Sequence, residues 1–409
     1  MLNWLNRFNI FCFLDSNHYR LPHQSLQCLA GAGARKVVHS DYTTALNDID
    51  VFLTPETDWA FGHLGYDLKN AVENLHSSHS DHTGFADLSF FCPEILLELN
   101  EHFLTIGLFG NHHEEVYLQI LSANTLSSFH SGACREVSSR LNKDEYISRV
   151  EKIKAHIRAG DCYELNFCQE FFQEGIEINP LEVYFRLNEV SPNPFSGLYR
   201  WNDSWCICAS PERYLKKAGR KIISQPIKGT APRNADPGVD EILKERLRNS
   251  EKERAENIMV VDLVRNDLSR ICTKGSVKVD ELCGIYSFPK VHQMISTISG
   301  ELKRELNFSD IIKATFPMGS MTGAPKKKVM ELIEQYEVTK RGLYSGAIGY
   351  ISPERDFDFN VIIRSVLYNA AEQYLSFHTG SAITAKSNAE EEYEECLIKG
   401  EAIRQVIFK

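Results

Sequence analysis

The sequence has no Cys-x-x-Cys pair, no internal repeat, no low-complexity tract and no excess of basic residues. Its 11 cysteines are an odd number scattered along the chain. That pattern argues against a disulfide scaffold or a thiolate zinc site, and buried free thiols are expected instead. No segment approaches the roughly 20 apolar residues that a membrane-spanning helix needs. Lys and Arg number 45 against 55 Asp and Glu, a net charge of -10. A general nucleic-acid or anionic-membrane surface is therefore not expected. The start, Met1-Leu2-Asn3-Trp4-Leu5, lacks a basic run. The apolar stretch from Phe8 to Leu14 is broken by Asn9 and reads as a strand rather than a signal. A cytoplasmic protein is expected.

What is present is an ordinary globular balance: 409 residues, 43% hydrophobic and 24% charged, enough for one large or two modest domains. Ile95–Leu99 and Phe103–Gly110 read as a hairpin broken at Asn100-Glu101. Residues 122–142 are polar and serine-rich, which makes them a candidate boundary between an N-terminal α+β subdomain at 1–142 and a second region at 143–409. From Lys143 the periods are longer. Residues 143–158 predict an amphipathic helix with Tyr146, Val150, Ile153 and Ile157 on one face. Strands are predicted near 162–172, 197–201, 204–209, 212–217 and 220–224. A helix at 250–268 is expected to turn Ile258, Val261 and Val264 inward, and another begins at Pro325. Three strands follow at 343–351, 357–368 and 373–379. The last helix, 389–407, has Ser387 and Glu390 spaced as a capping box. Strand runs joined by short turns, with helices between them, predict an α+β fold.

Several residues have the chemistry of a site. Glu253/Glu256 and Glu392/Glu395 lie three apart, so each pair shares a helix face. Four such carboxylates around one point suit Mg²⁺, a hard cation that takes oxygen ligands. Spacing alone does not separate this from solvated helix faces, since 55 acidic residues in 409 produce roughly seven such pairs by chance. Lys228 lies between Ile227 and Gly229 after a predicted strand. As a nucleophile it would need a pKa well below the ordinary lysine value; otherwise it is a surface lysine in a turn. Glu212 is a general-acid candidate if burial keeps it protonated, or else a strand-end ion-pair member. Gly319-Ser320-Met321-Thr322-Gly323-Ala324-Pro325-Lys326 is a glycine-rich loop entering a helix. It fails the P-loop pattern, which disfavours a nucleoside triphosphate. Arg364 sits in an apolar run and asks for a carboxylate partner, from protein or substrate. His76, His79 and His82 read as a solvated turn. His292 lies near the other candidates in sequence.

These motifs occur in the order of a known family. The stretches GDCYELNFCQ (160–169), SPERYL (210–215), QPIKGTAPR (225–233), ENIMVVDLVRNDLSRI (256–271), VHQMIST (291–297), FPMGSMTGAPKKKVMELI (316–333), GLYSGAIGY (342–350), FNVIIRS (359–365) and EYEECLIKGEAI (392–403) resemble the chorismate-utilising enzymes. That family includes anthranilate synthase component I, aminodeoxychorismate synthase component I, isochorismate synthase and salicylate synthase. The likeness runs from Lys143 to Lys409. A looser one covers Trp59 to Asp67. It implies large, mostly antiparallel sheets packed as a sandwich and flanked by helices. It implies Mg²⁺ held by Glu256 and Glu395, with Glu253 and Glu392 binding through water or supporting. Arg364, Tyr344, Lys399 and the backbone at Gly380, Ser381 and Ala382 are implied holders of the carboxylates of chorismate. Thr322 and His292 would line the pocket, and Glu212 would assist departure of the C4 hydroxyl.

Two positions bear on which member is most similar. Anthranilate synthases usually carry alanine where Lys228 stands, whereas lysine there marks aminodeoxychorismate synthases. The water-using members place a base lysine where this chain has Glu164. The resemblance thus implies attack of Lys228 on ring C2 and then amination at C4 by ammonia from a separate glutamine amidotransferase. No glutaminase motif occurs in these 409 residues. Anthranilate synthesis is the near alternative, and an inactive scaffold subunit the distant one. The family's glycine-rich stretch reads here His378-Thr379-Gly380-Ser381-Ala382, and its following aspartate is Lys386.

Overall fold

The computed structural model describes residues 1–19, 22–23, 26–123 and 137–407. Most of the serine-rich stretch 122–142 lies outside the described residues. Two large antiparallel sheets form the body. The first has 11 described strands, ten in line and Ser138–Ser139 paired beside Glu164–Gln173. Gly323–Ala324 leads through Glu164–Gln173, Tyr374–Ile383, Ser365–Asn369, Ser204–Ser210, Phe195–Trp201 and Ile10–Asp15 to Cys28–Ala32, Ile95–Leu99 and Leu104–Leu108. The second has 10. Ile227–Pro232 leads through Val291–Glu301, Lys221–Gln225, Arg213–Ala218, Phe357–Val361 and Ala347–Ile351 to Ala60–Leu64, Leu88–Cys92 and Lys36–Ser40. The strands of the first hundred residues thus extend both sheets rather than forming a layer of their own. The expected hairpin at Ile95–Leu99 is paired with Leu104–Leu108.

Alternation explains why the strands are apolar on both sides. In the first sheet Cys12 faces the core shared with the second sheet, while Phe11 and Phe13 face a helix layer. In the second sheet Phe91 reaches Trp201 across the sandwich, 6.3 Å between ring centres. Its neighbour Phe90 packs on Phe308 of the Phe308–Thr315 helix at 6.1 Å. The helices Lys143–Ala159, Pro180–Val190 and Ala389–Ile407 cover the first sheet. The Glu251–Ile271 helix covers the Val291–Glu301 and Ile227–Pro232 strands. No helix among the described residues is long and apolar enough to cross a membrane.

Local expectations meet three corrections. The stretch 357–368 is two strands, Phe357–Val361 in the second sheet and Ser365–Asn369 in the first. The chain crosses between sheets at residues 362–364, with Arg364 at φ 51°. The final helix is capped by Asn388, whose Oδ1 accepts from the amides of Glu390 and Glu391. Ser387 instead accepts from the Thr384 amide. In the Glu251–Ile271 helix Asn257, Val260, Val261, Val264 and Leu268 are buried, whereas Ile258 is 38% exposed. The helix Lys143–Ala159 buries Tyr146, Val150 and Ile153 and carries a capping box between Asn142 and Glu145.

Candidate active site

The site is assembled where the Glu164–Gln173 and Ile227–Pro232 strands, the Gly319–Met321 turn and two glutamate-bearing helices meet. Gly323 and Ala324 pair with Leu165 and Glu164. This places the glycine-rich loop directly beside the start of that strand. Gly323 is at φ 146°, and a Cβ there would stand 2.1 Å from the Glu164 carbonyl oxygen. Only glycine permits this approach. Arg341 pins the same junction. It donates to the Met321 carbonyl at 2.7 Å, the Asn166 carbonyl at 2.8 Å and the Glu337 carboxylate at 2.6 Å.

Lys228 is not a surface turn residue. Its Nζ donates to Glu164 Oε1 at 2.9 Å, with the side chains 11% and 1% exposed. Burial works against the charge, but Glu164, Glu256 and Glu212 outweigh it and hold the ammonium up at about 12. This is opposite to the lowered value expected of a nucleophile, and the reason is the surrounding carboxylates. Glu164 Oε2 has no hydrogen-bond partner among the described residues. Glu212 is 4% exposed and accepts from the Ser320 hydroxyl at 2.6 Å. Burial pushes its carboxyl up to about 7, against the opposing pull of Ser320, Lys228 and the Ile227 amide. A group held there still carries its proton about half the time at neutral pH, where an ordinary carboxyl has lost it.

The glutamate pairs converge. Lys252, on the same helix as Glu253 and Glu256, feels the charges of Glu392, Glu256, Glu395 and Glu253 together. Its Nζ lies 3.7 Å from Glu392 Oε1. Burial pushes Glu256 up to about 7, with Lys228 opposing and Glu164 and Glu253 adding. Glu253 is also raised by burial, with Glu395 adding. Burial would raise Glu395 too, but Lys399, Lys252 and Lys228 outweigh it, so its carboxyl lies below the usual value. No group of three His, Cys, Asp or Glu side chains among the described residues stands arranged to hold a metal ion. Mg²⁺ needs only one or two carboxylates, with water and substrate oxygens completing its shell. Glu256 Oε1 is buried without a hydrogen-bond partner among the described residues. The donor chemistry fits such an ion.

Lys399 links the expected anion holders to the glutamates. Lys399 donates to Gly380 O at 2.9 Å and to Glu395 Oε1 at 2.7 Å. Gly380 and Ala382 pair with Cys168 and Asn166. Those two partners turn their amides elsewhere, to Glu337 Oε1 and to the Thr322 carbonyl. By antiparallel alternation the Gly380 and Ala382 amides point to the strand's other edge, while Ser381 between them bonds into the sheet. Tyr344 is buried, its hydroxyl 3.6 Å from Cys168 Sγ and its ring stacked on His378 at 4.9 Å. Arg364 lies beside the Glu212 turn, its carbonyl accepting from the Ala209 amide. Its guanidinium has no hydrogen-bond or ion-pair partner among the described residues, and burial lowers its pKa.

Thr322 is fully buried, but its hydroxyl is engaged with the Met318 carbonyl at 3.2 Å. His292 stands apart from this constellation. Its ring is bonded to Asp240 at 3.1 Å and Ser287 at 2.8 Å, on the side of the Pro237–Asn249 helix. Of the histidine trio, His79 meets the Glu334 carbonyl at 2.8 Å. It pins the loop to the Lys326–Tyr336 helix and is not a solvated turn residue. Glu164 and Ser320 are the residues that sequence reasoning left unassigned. Both lay inside quoted motifs, but nothing in a sequence says which lysine or carboxylate they face.

A protein-family model, chorismate binding enzyme, matches residues 16–405. Aminodeoxychorismate synthase component 1 of Salmonella typhimurium is 35% identical over 83% of this chain and 74% of its own length. The chloroplastic aminodeoxychorismate synthase of Arabidopsis thaliana is 40% identical over 85% of this chain, which spans only 40% of that protein. Among solved structures, anthranilate synthase component I from Streptococcus pneumoniae superposes with a TM-score of 0.78 at 25% identity, covering 94% of each chain. The match extends through both sheets and every element that carries the glutamates and lysines above, and the chain belongs to the chorismate binding enzyme family.

Proposed function

We propose that this protein converts chorismate and ammonia to 4-amino-4-deoxychorismate, the precursor of p-aminobenzoate in folate synthesis. The observation that carries the reading is Lys228, buried against Glu164 and within the field of Glu212 and Glu256. A lysine so placed has no structural need for three acidic neighbours. The relatives named as aminodeoxychorismate synthases, at 35% and 40% identity, support the same reading.

In the proposed reaction, Arg364, Tyr344, Lys399 and the free amides of Gly380 and Ala382 hold the substrate carboxylates. Glu256 and Glu395, with Glu253 and Glu392 behind them, would hold Mg²⁺, which supplies positive charge at the ring carboxylate when bound. Lys228 gives up a proton at Nζ, and Glu164 Oε1 is the acceptor within hydrogen-bond reach. The free amine attacks ring C2. Glu212 delivers its proton to the C4 hydroxyl, which leaves as water while the double bonds shift. Ammonia then adds at C4 and expels the Lys228 amine. A separate glutamine amidotransferase supplies the ammonia. The net change is chorismate plus ammonia to aminodeoxychorismate plus water.

The test is chorismate with ammonium and Mg²⁺, with products resolved by chromatography. Aminodeoxychorismate is expected, and a Lys228-linked adduct should accumulate in mass spectra when ammonia is withheld. Anthranilate as the product, or a Lys228→Ala enzyme of unchanged rate, rejects the reading.

A further inference from the structure

Tyr344 is fixed at its backbone. Its amide donates to the Arg341 carbonyl at 3.0 Å, and the next amide, of Ser345, donates to the Ile362 carbonyl at 2.9 Å. The side chain is held less firmly. Among the described residues its hydroxyl meets only the Cys168 thiol, at 3.6 Å, and a thiol is a weak partner. The ring lies flat against His378, with centres 4.9 Å apart and planes 14° apart.

Hydrogen bonding does not explain a histidine at 378. The residue is 3% exposed, and neither ring nitrogen has a hydrogen-bond partner among the described residues. A buried polar group left unpaired costs about 1–3 kcal/mol, so a phenylalanine would serve packing better. Burial lowers the pKa of the ring to about 4, so the ring is neutral at neutral pH and offers a carboxylate no charge. What His378 presents to Tyr344 is its flat face. Alternation along the Tyr374–Ile383 strand puts His378 on the same side as Gly380, two residues on, while its neighbour Phe377 turns to the helix layer.

We propose that His378 is a positioning residue: the face of its imidazole fixes the ring plane of Tyr344 and so aims the Tyr344 hydroxyl at a substrate carboxylate. The inference rests on the carboxylate role given to Tyr344 in the proposed reaction and extends it to a residue that acts through Tyr344. A hydroxyl paired with a thiol gives up little when it turns to a carboxylate, a stronger partner. With the ring already held, substrate binding does not have to order it.

The experiment is ammonium-dependent turnover of chorismate by the full chain with Mg²⁺, with thermal melts alongside. The variants are His378→Ala, His378→Phe, Tyr344→Phe and the double variant Tyr344→Phe/His378→Ala. His378→Ala should raise KM for chorismate about tenfold and leave kcat within about twofold. His378→Phe keeps a flat ring, so its KM should stay within about twofold of wild type and it should melt no lower. In the Tyr344→Phe background His378→Ala should change KM by less than about twofold, because the hydroxyl it aims is gone. Should His378→Ala fail to fold, His378→Leu keeps the bulk without the flat face and carries the same expectations. Additive effects in the double variant, or a folded His378→Ala with the KM of wild type, overturn the proposal. So does a KM raised as far by His378→Phe as by His378→Ala, since the nitrogens would then act instead of the ring face. Tyr344→Phe with an unchanged KM overturns the carboxylate role of Tyr344 itself, and the role of His378 falls with it.

Discussion

Lys228 Nζ donates to Glu164 Oε1 at 2.9 Å across 64 residues of sequence, and the carboxylate is 1% exposed. A buried ion pair of this kind is weak evidence of stabilisation, because desolvation offsets most of the attraction. Its consequence is chemical: it places a proton acceptor on the amine proposed to attack the substrate.

Glu164→Gln keeps the shape and removes the charge. The lysine then loses the largest charge that supports its ammonium, and its pKa falls. Amine-selective acylation of Lys228, followed by peptide mass spectrometry, should proceed at lower pH than in wild type. Turnover should nevertheless drop by about 10- to 100-fold, because the proton acceptor is gone. Turnover equal to wild type would remove Glu164 from the mechanism.

Glu212 gives a pH-dependent stability. In the unfolded chain its carboxyl ionises near 4.5, and in the folded protein at about 7. Between those values the unfolded state has lost its proton and the folded state has not. Stability therefore falls as pH rises through that window and levels off above it. Glu212→Gln removes this contribution. Urea unfolding should find the variant gaining on wild type between pH 5 and 8, by on the order of 2–3 kcal/mol. Its turnover should be lost, since an amide delivers no proton. A difference that stays constant with pH would show that Glu212 is already ionised in the fold.

Arg364 separates binding from folding. Its guanidinium has no protein partner among the described residues, so Arg364→Met breaks no ion pair. Thermal stability should hold or rise, while KM for chorismate should increase about 10- to 100-fold. A melting point several degrees lower would mean that the arginine serves the fold instead.

Gly323 ties backbone to chemistry. A methyl group there would meet the Glu164 carbonyl at 2.1 Å, at a φ of 146°. Gly323→Ala should destabilise the protein by about 2–4 kcal/mol and shift the strand that carries Glu164. Activity should fall at temperatures where circular dichroism still reports a folded chain. Full activity in that folded state would show that the junction tolerates movement.

How much of this was legible beforehand varies with the range of the interaction concerned. The Lys143–Ala159 helix was readable because its period and the Asn142–Glu145 cap are local. The helices Pro180–Val190 and Pro237–Asn249 went unassigned although Asn179 and Asp236 cap them before a proline. Their cap signals were present, but their apolar periods are short. The single strand expected at 357–368 failed because alternation continues through a crossing between sheets; nothing local marks Arg364 as its pivot. His292 looked close to the site in sequence, yet the alternation of the Val291–Glu301 strand turns its ring toward Asp240.

The order of motifs, the paired glutamates on their helices and the need for glycine at 323 follow from the chain itself, since propensity, spacing and backbone sterics act between near neighbours. Which charges meet was decided by tertiary structure alone. Lys228 faces Glu164, Glu212 faces Ser320, and Lys252 lies 3.7 Å from Glu392 of another helix. Ionisation follows burial and neighbouring charge, and both come into being only when distant segments pack together.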